Sequence, residues 1–346
     1  MSRIHAWWEM FKMGKSLLKV KEAQYFYRDN ILRALEEEGW FHFLQNPRTS
    51  NEIMQNFNYT ESDLVRDILD TLVENKILLA TADSRFQVAG EININMTKPD
   101  IISDALYEIE IELANELPNR LRGKPCTLTS GFNLYNWDDA LTDRFYSQCR
   151  KSAFAFSGVL KKTGVLVDVG AGTGYGTAAM WSYYFKRNRF YPDTPMKIIA
   201  IEPDESMLKI GREEFSRMAA KHAGLPKVEI EEYSRYFPEF KRGKVEDLPF
   251  DDNSIDFIYT SQILHWTDAE KGIAEMLRVC KPGGFAFGMQ AVAPRTNKFV
   301  EYHVKTVEDS TGFFTKKQFK EWALKAGAKQ VKMAYPVVSV CYKFVK

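Results

Sequence analysis

Residues 165–177, Val-Leu-Val-Asp-Val-Gly-Ala-Gly-Thr-Gly-Tyr-Gly-Thr, run from an apolar segment through one acid into a group of closely spaced glycines. The apolar segment predicts a buried strand, and residues 175–186 predict the helix that follows it. Gly170, Gly172 and Gly174 have no Cβ atom, so the chain can turn sharply there and its main-chain N–H groups can approach a ligand. The N-terminus of the following helix points at the same place. This stretch therefore predicts a turn that holds a nucleoside.

The spacing of the glycines separates the kinds of nucleotide site. A dinucleotide-binding turn requires G-x-G-x-x-G/A directly after the strand. The frame that begins at Gly170 ends in Tyr175, and the frame that begins at Gly172 ends in Thr177, so neither fits. A third frame, 174–179, fits formally but begins too late to be the turn between strand and helix. No Gly-Lys-Ser/Thr triplet of a phosphate-binding P-loop occurs in this region. What remains is Asp168-x-Gly-x-Gly-x-Gly at the end of a strand.

A second acid stands at the end of a second apolar segment. Residues 197–208, Lys-Ile-Ile-Ala-Ile-Glu-Pro-Asp-Glu-Ser-Met-Leu, predict a buried strand that ends at Glu202 and is followed by a helix. A carboxylate in this position can accept hydrogen bonds from both hydroxyls of a ribose. The alternative is that Glu202 is only a negative charge that favours the start of the helix.

Further segments continue the alternation of strands and helices. Residues 243–266 contain Leu-Pro-Phe and Asp-Phe-Ile elements, and residues 280–287, Cys-Lys-Pro-Gly-Gly-Phe-Ala-Phe, predict a turn before another strand. Residues 315–327 predict a capped amphipathic helix that ends at a glycine. Two short strands are predicted near 330–335 and 338–344.

In this order the motifs resemble the class I S-adenosylmethionine-dependent methyltransferases over about residues 132–346. The resemblance implies an α/β fold with a Rossmann-like seven-stranded sheet, helices on both faces and a reversed strand pair at the end. It also implies S-adenosylmethionine as the cofactor, with Glu202 on the ribose and residues 243–266 on the adenine side. The implied cofactor-binding residues are Asp168, Gly170, Ala171, Gly172, Gly174, Glu202, Pro203, Val245, Glu246 and Ser261.

One departure from the family pattern lies on the adenine side. Many relatives have an aspartate four residues before the leucine of Leu-Pro-Phe, where it accepts from the adenine amino group, and this chain has Lys244 there. We therefore expect the adenine contact to come from the Val245 backbone and from Glu246 or Asp247.

His265 is the candidate catalytic residue. It stands just past the end of the predicted fourth strand, where the sites of α/β proteins lie. Plant-type O-methyltransferases have a catalytic histidine in Leu-His-Asp-Trp at this location, whereas here Trp266 replaces the acid. The sequence is equally similar to methyltransferases of quinones, which need no such base. A general base and a residue that packs or orients the acceptor both remain open for His265.

The first part of the chain predicts helices followed by a hairpin. Residues 49–54 begin a short helix, residues 60–63 resemble a capping box before the next helix, and a turn at 82–85 leads into a strand. This order resembles a winged helix, specifically the N-terminal dimerisation domain of small-molecule O-methyltransferases. It implies a homodimer, in agreement with an excess of apolar side chains near the N-terminus, namely Trp7, Trp8, Met10, Phe11, Leu17 and Leu18.

A winged helix also raises the alternative of a DNA-binding regulator. The helix that would enter the DNA groove, residues 61–76, has more acidic than basic side chains: Glu61, Asp63, Asp67, Asp70 and Glu74 against Arg66 and Lys76. Such a surface repels phosphate, and DNA binding requires cationic groups that displace counterions. We therefore expect no nucleic-acid partner.

Composition limits the remaining classes. The chain has 346 residues, 45% of them hydrophobic, and a net charge of +1, which permits two cores and argues against a general polyanion binder. No apolar run approaches a membrane span and no signal peptide is evident, so we expect a cytoplasmic protein. The four cysteines and five histidines are scattered, so neither disulfides nor a metal site are expected.

These observations predict three segments: a helical, winged-helix dimerisation domain at 1–90, a helical linker and pocket cap at 91–160, and the cofactor-binding domain at 161–346. The middle segment is rich in aromatic residues, which favours a small apolar or aromatic acceptor such as a phenol, a quinone-like ring or a lipid-like molecule. O-methylation is slightly favoured over C-methylation. A winged-helix regulator and a cofactor-binding protein without catalysis are the alternatives. The aromatic residues are Tyr107, Phe132, Tyr135, Trp137, Phe145, Tyr146, Phe154 and Phe156.

Overall fold

The computed structural model describes residues 17–100, 102–127, 140, 144–188, 196–294, 296–308, 310–335 and 339–346. The chain forms two compact units. We call the unit formed by residues 18–132 and 297–312 the helical unit, and the unit that contains residues 133–296 and 313–346 the sheet unit.

The elements are labelled in chain order. The helices are α1 Leu17–Glu38, α2 Trp40–Phe43, α3 Ser50–Phe57, α4 Ser62–Glu74, α5 Asp104–Asn115, α6 Leu117–Leu121, α7 Arg144–Ser157, α8 Tyr175–Asn188, α9 Glu205–Ala223, α10 Lys227–Glu231, α11 Ala269–Val279, α12 Lys298–Lys305 and α13 Lys316–Lys325. The strands are β1 Arg48–Thr49, β2 Leu78–Ala80, β3 Arg85–Val88, β4 Val165–Val169, β5 Lys197–Glu202, β6 Glu239–Arg242, β7 Ile255–Ser261, β8 Cys280–Ala291, β9 Gln330–Ala334 and β10 Ser339–Val345.

The two units do not follow the predicted boundaries at residues 90 and 160. Residues 91–132 belong to the helical unit, together with a late segment that contains α12. The reason is burial, since Leu117, Leu121 and Tyr302 lie in the same apolar core as Trp40 and Ile68. Sequence periodicity describes each helix separately and does not show that a helix near residue 300 completes a core near residue 70.

The helical unit has the order of helices and hairpin that the sequence predicts. Its three strands form a small sheet in the order β1-β3-β2, with β3 antiparallel to both neighbours. A capping box begins α3, because the Thr49 side chain accepts from the main-chain N–H of Glu52 and the Glu52 side chain accepts from that of Thr49. The capping box expected at residues 60–63 is wrong, since Glu61 precedes α4 and makes no capping bond with its side chain.

The sheet unit contains the predicted seven-stranded sheet, in the order β6-β5-β4-β7-β8-β10-β9. The first five strands are parallel, and β10 is antiparallel to both β8 and β9. The sheet has helices on both faces. On one face Val167 and Val169 share a core with Ile273 of α11 and Phe319 of α13. The other face carries Tyr259, whose ring lies 5.2 Å from that of Phe154 in α7.

Strand register places the candidate site residues at one edge. Val169 is opposite both Ile201 of β5 and Thr260 of β7. The glycine turn after β4, Glu202 at the end of β5 and Ser261 at the end of β7 therefore lie at the same end of three adjacent parallel strands. Arg242 at the end of β6 is opposite Glu202 and brings the following loop to this edge as well. Ligands of open α/β sheets bind at this carboxyl edge.

Among the described residues, no helix is both long and apolar enough to cross a membrane. Within the same ranges, no three His, Cys, Asp or Glu side chains are grouped so that they could hold a metal ion.

Candidate cofactor and active site

The glycine turn is fixed to the neighbouring strand. The main-chain N–H groups of Gly170 and Ala171 both donate to the carbonyl oxygen of Ile201, at 2.8 and 3.0 Å. The φ angles of Gly170, Gly172 and Gly174 are 72°, 57° and 85°, in the left-handed region that other residues enter at a cost. The backbone therefore favours glycine at all three positions.

The three glycines differ in what surrounds them. A Cβ atom on Gly170 would lie 2.7 Å from Ile263, and one on Gly174 would lie 2.9 Å from Phe240, so the protein's own packing excludes a side chain at both. A Cβ atom on Gly172 would meet no atom closer than the Met207 sulfur, at 4.0 Å. Gly172 therefore borders free space at the carboxyl edge of the sheet, which is the room that a ligand needs.

Glu202 lies across this turn. One carboxylate oxygen accepts from the Gly172 N–H at 2.9 Å and the other accepts from the Asp204 N–H at 3.3 Å. The side chain is only 8% exposed, and burial raises its pKa to about 7, while the two backbone hydrogen bonds lower it. A carboxylate has lone pairs for about four hydrogen bonds, so both oxygens can still accept from ligand hydroxyls. The arrangement fits a ribose between Glu202 and Gly172.

Asp168 links the end of β4 to the start of α8. Its carboxylate accepts from the Thr177 hydroxyl of α8 at 2.6 Å. Burial raises the pKa of Asp168 to about 7, and the Thr177 hydrogen bond and the Arg150 charge act in the opposite direction. In this structure Asp168 therefore holds the turn together, and direct contact with a cofactor stays a prediction.

The residues predicted for the adenine side follow β6. The Val245 side chain is buried in the apolar core, which leaves its backbone for a ligand. The Glu246 carboxylate accepts from the Asp268 N–H at 3.0 Å, just before α11. These residues lie at the carboxyl edge of the sheet, and an adenine contact stays a prediction for each. Pro203 follows β5, and its carbonyl accepts from the Arg242 side chain at 3.1 Å. Its contact with the cofactor also stays a prediction.

His265 lies in a short 3-10 turn after β7 and is 6% exposed. Gln290, a fully buried residue of β8, touches it, with its Nε2 atom 2.7 Å from His265 Nδ1. Two main-chain groups fix which way the Gln290 amide points. Its oxygen accepts from the Leu264 N–H at 3.1 Å, and its nitrogen donates to the Ala291 carbonyl at 3.2 Å. The nitrogen therefore also donates to His265 Nδ1.

Burial decides that the imidazole is neutral, and the contact with Gln290 decides which nitrogen carries its proton. Burial lowers the pKa of His265 to about 3, so the ring is neutral at physiological pH. A neutral imidazole that accepts at Nδ1 carries its proton on Nε2. Neither nitrogen then has an unused lone pair. The geometry does not support the general-base role considered for His265, because its one basic nitrogen is occupied by Gln290.

Gln262 and Gln290 are not among the residues that the sequence predicts for the site. Gln262 has a φ of 57°, its side-chain oxygen accepts from the Ala291 N–H at 2.8 Å, and its nitrogen donates to the Ser339 hydroxyl at 3.0 Å. The two glutamines thus hold the end of β7 against β8 and β10. The sequence contains a signal for Gln290, because an amide within the apolar run of β8 is a buried polar side chain and requires a hydrogen-bond partner.

Comparisons with known proteins agree with this geometry. Residues 167–288 match a family model described as a methyltransferase domain. An uncharacterized methyltransferase of Schizosaccharomyces pombe is 32% identical over 127 residues, which are 36% of this chain and 39% of that protein. The chain thus spans well under half of this relative's length.

Two solved structures are similar over nearly the whole chain. The DszA carbon methyltransferase has a TM-score of 0.72 at 12% identity. The similar region spans 98% of this chain and 93% of the DszA chain. An O-methyltransferase family protein of Burkholderia thailandensis has a TM-score of 0.53 at 15% identity, and the similar region spans 96% of this chain and 97% of that protein's chain. At these identities the likeness establishes the fold.

Replacing Gly172 by alanine tests whether the free space at the turn is a ligand site. We expect Gly172→Ala to weaken the binding of S-adenosylhomocysteine at least about tenfold, because the added methyl group fills space that the ligand requires. Gly224→Ala is the matched control, since Gly224 has a φ of 68° at the end of α9 and an added Cβ atom would meet nothing within 4 Å.

Both variants should lose about 1–2 kcal/mol of unfolding free energy, since both force alanine into the left-handed region. Only Gly172→Ala should lose affinity in calorimetry. Equal affinities of the two variants would contradict the assignment.

Proposed function

We propose that the chain binds S-adenosylmethionine and transfers its methyl group to a small-molecule acceptor, because residues 167–288 match a methyltransferase domain. The observation that supports this most strongly is the buried Glu202 carboxylate, bonded to the Gly172 N–H across the glycine turn. A dinucleotide oxidoreductase would need a different glycine spacing at the end of β4.

The residues present fit the cofactor. Glu202 would accept from the ribose hydroxyls, the loop after β6 would lie beside the adenine, and the turn beyond Gly170 would border the methionine part. When bound, S-adenosylmethionine supplies an electrophilic methyl group whose bond to sulfur breaks with the electron pair left on sulfur, as the acceptor forms the new bond. The protein then has mainly to align the acceptor and exclude water.

The acceptor in this proposal is a small apolar or aromatic molecule. Phe154 supports the sheet, since its ring packs against Tyr259 and Phe287, so it is a core residue and not a pocket residue. Phe132, Tyr135 and Trp137 lie outside the described residues. The preference for oxygen over carbon depended on a base at His265, which its contact with Gln290 does not support. We therefore propose an acceptor that becomes nucleophilic without proton transfer to His265.

The helical unit argues against the alternative of a DNA-binding regulator. α4 buries Leu64, Ile68 and Leu72, and its acidic Asp67 pairs with Lys298 at 3.0 Å. A helix with an acidic exposed side would oppose contact with phosphate. The second candidate is a cofactor-binding protein without catalysis. Methyl transfer to an acceptor would exclude it.

Glu202→Gln tests the cofactor assignment. Charge-assisted hydrogen bonds contribute about 1.5–3 kcal/mol each, so the variant should bind S-adenosylhomocysteine at least about tenfold more weakly near pH 8. Since the pKa of Glu202 is about 7, wild-type affinity should fall as the pH is lowered toward 6 and the carboxylate gains a proton. The variant should show a smaller pH dependence.

Calorimetry measures both effects. Glu239→Gln is the control, because Glu239 is a surface residue of β6 that pairs with Lys197 at 2.6 Å. Unchanged affinity in Glu202→Gln would refute the ribose contact, and tighter binding of a nicotinamide dinucleotide would refute the proposed class.

We also propose that the protein is a homodimer. The apolar residues Trp7 and Trp8, outside the described part of the chain, exceed what a small winged-helix domain can cover. Sedimentation at micromolar concentration should give a dimer, which the double substitution Trp7→Ser with Trp8→Ser weakens. Leu324→Ser, at a 49% exposed residue of α13, should leave it intact. A wild-type monomer would overturn the proposal.

A further inference from the structure

We propose that one lysine-rich surface of the sheet unit binds a membrane that contains anionic lipids. Residues 315–332, which include α13 and reach into β9, contain six lysines and one glutamate, a net charge of +5. The whole chain has a net charge of +1, so all other residues together carry −4. The near-neutral total therefore conceals a strongly uneven distribution of charge. We call the six residues the lysine patch: Lys316, Lys317, Lys320, Lys325, Lys329 and Lys332.

The lysine patch has few acidic partners. Lys317 lies 3.8 Å from Glu321, and Lys325 lies 2.6 Å from Glu270. Both lysine side chains are largely exposed, so these two ion pairs contribute little. In the ranges that the structure describes, the other four lysines form no ion pair with an acidic side chain. Most of the positive charge is therefore available to an anionic partner.

Repulsion between like charges extends the patch onto β10. Lys332 of β9 lies directly opposite Lys343 of β10, and a pair of like charges in this position destabilises a sheet. The pKa of Lys343 is lowered to about 8, first by burial and then by the charges of Lys332 and Lys162. These three lysines are therefore close enough to repel one another. An anionic surface beside them would reduce the repulsion.

Protection of the sheet edge explains only part of the patch. β9 is the last strand of the sheet, and lysines on an edge strand prevent pairing with another chain. This role accounts for Lys332. The lysines of α13 lie on a helix that packs on one face of the sheet through Phe319 and Ala323. Edge protection does not account for them.

An exposed apolar side chain favours a membrane over an acidic protein as the partner. Leu324 of α13 is 49% exposed and lies on the same side of the helix as Lys317 and Lys320. A basic helix with an apolar residue beside its lysines is typical of contact with a membrane surface. The lysines would contact the anionic headgroups, and Leu324 would enter the boundary of the acyl chains.

The patch begins at the edge of the sheet that carries the candidate site. The N–H of Ala293, which follows β8, donates to the carbonyl of Phe314, just before α13, at 3.0 Å. β8 is parallel to β7 and ends at the same carboxyl edge. A membrane on the lysine patch would therefore lie close to this edge. Apolar molecules partition into membranes, so the enzyme would meet the apolar acceptor there. This last step alone rests on the proposed function.

Vesicle sedimentation with the full chain tests the proposal. At low salt the protein should bind phosphatidylcholine vesicles that contain about 30% phosphatidylserine and should not bind vesicles of phosphatidylcholine alone. Binding should fall steeply as added salt screens the charges. The triple substitution Lys320→Glu, Lys329→Glu and Lys332→Glu should weaken binding at least about 10²-fold, since each lysine at an anionic surface contributes about fivefold.

The matched control reverses three exposed lysines elsewhere in the chain, with Lys76→Glu, Lys124→Glu and Lys209→Glu. Both triple variants have the same net charge, so only the position of the charges differs. The control should bind anionic vesicles within about threefold of the patch-intact protein at equal salt. Leu324→Ser should weaken vesicle binding at least about threefold, because it removes the apolar contact. Unchanged melting temperatures show that the variants are folded.

Four results would overturn the proposal. They are a wild type that does not bind anionic vesicles, equal binding to phosphatidylcholine alone, equal losses in the two triple variants, and unchanged binding in Leu324→Ser. Binding to poly-L-glutamate without binding to vesicles would also overturn it, and would indicate an acidic protein as the partner. Calorimetry with S-adenosylhomocysteine tests the proposed function separately, since vesicle binding requires neither the cofactor nor methyl transfer.

Discussion

The hydrogen bond from the Gly172 N–H to the Glu202 carboxylate is the contact on which the candidate site depends. It joins the turn after β4 to the end of β5, and it is possible because parallel strands end at the same edge of the sheet. The bond keeps a buried acid next to a glycine that borders free space. Burial raises the pKa of Glu202, so in the ligand-free protein the carboxylate is costly to ionise, and hydroxyl donors from a ligand would reduce that cost.

Much of the sheet unit could be predicted from the sequence. The apolar runs that end in Asp168-x-Gly and in Glu202 correctly indicated β4 and β5, and the two final strands were confirmed as β9 and β10. These features are local, because a strand, a turn and the residue that follows them are contiguous in the chain. The capping box was misplaced, since Thr49 with Glu52 and residues 60–63 have similar composition and only the backbone at each helix start distinguishes them.

What the sequence could not predict depends on contacts between distant residues. α12 joins the core of the helical unit although it follows most of the sheet unit in the chain. The state of His265 is set by Gln290, 25 residues away, and through it by the backbone of Leu264 and Ala291. A histidine after the fourth strand is compatible with a base or with a donor. Only the orientation of one buried amide separates them.

The central claim is that the glycine turn and Glu202 together form the nucleoside site of a methyltransferase. A crystal structure of the full chain with S-adenosylhomocysteine tests it most directly. We predict that the ribose hydroxyls lie within hydrogen-bond distance of the Glu202 carboxylate and that the ligand occupies the space beside Gly172. A nucleoside bound elsewhere, with the Glu202 carboxylate still bonded only to the N–H groups of Gly172 and Asp204, would contradict the account.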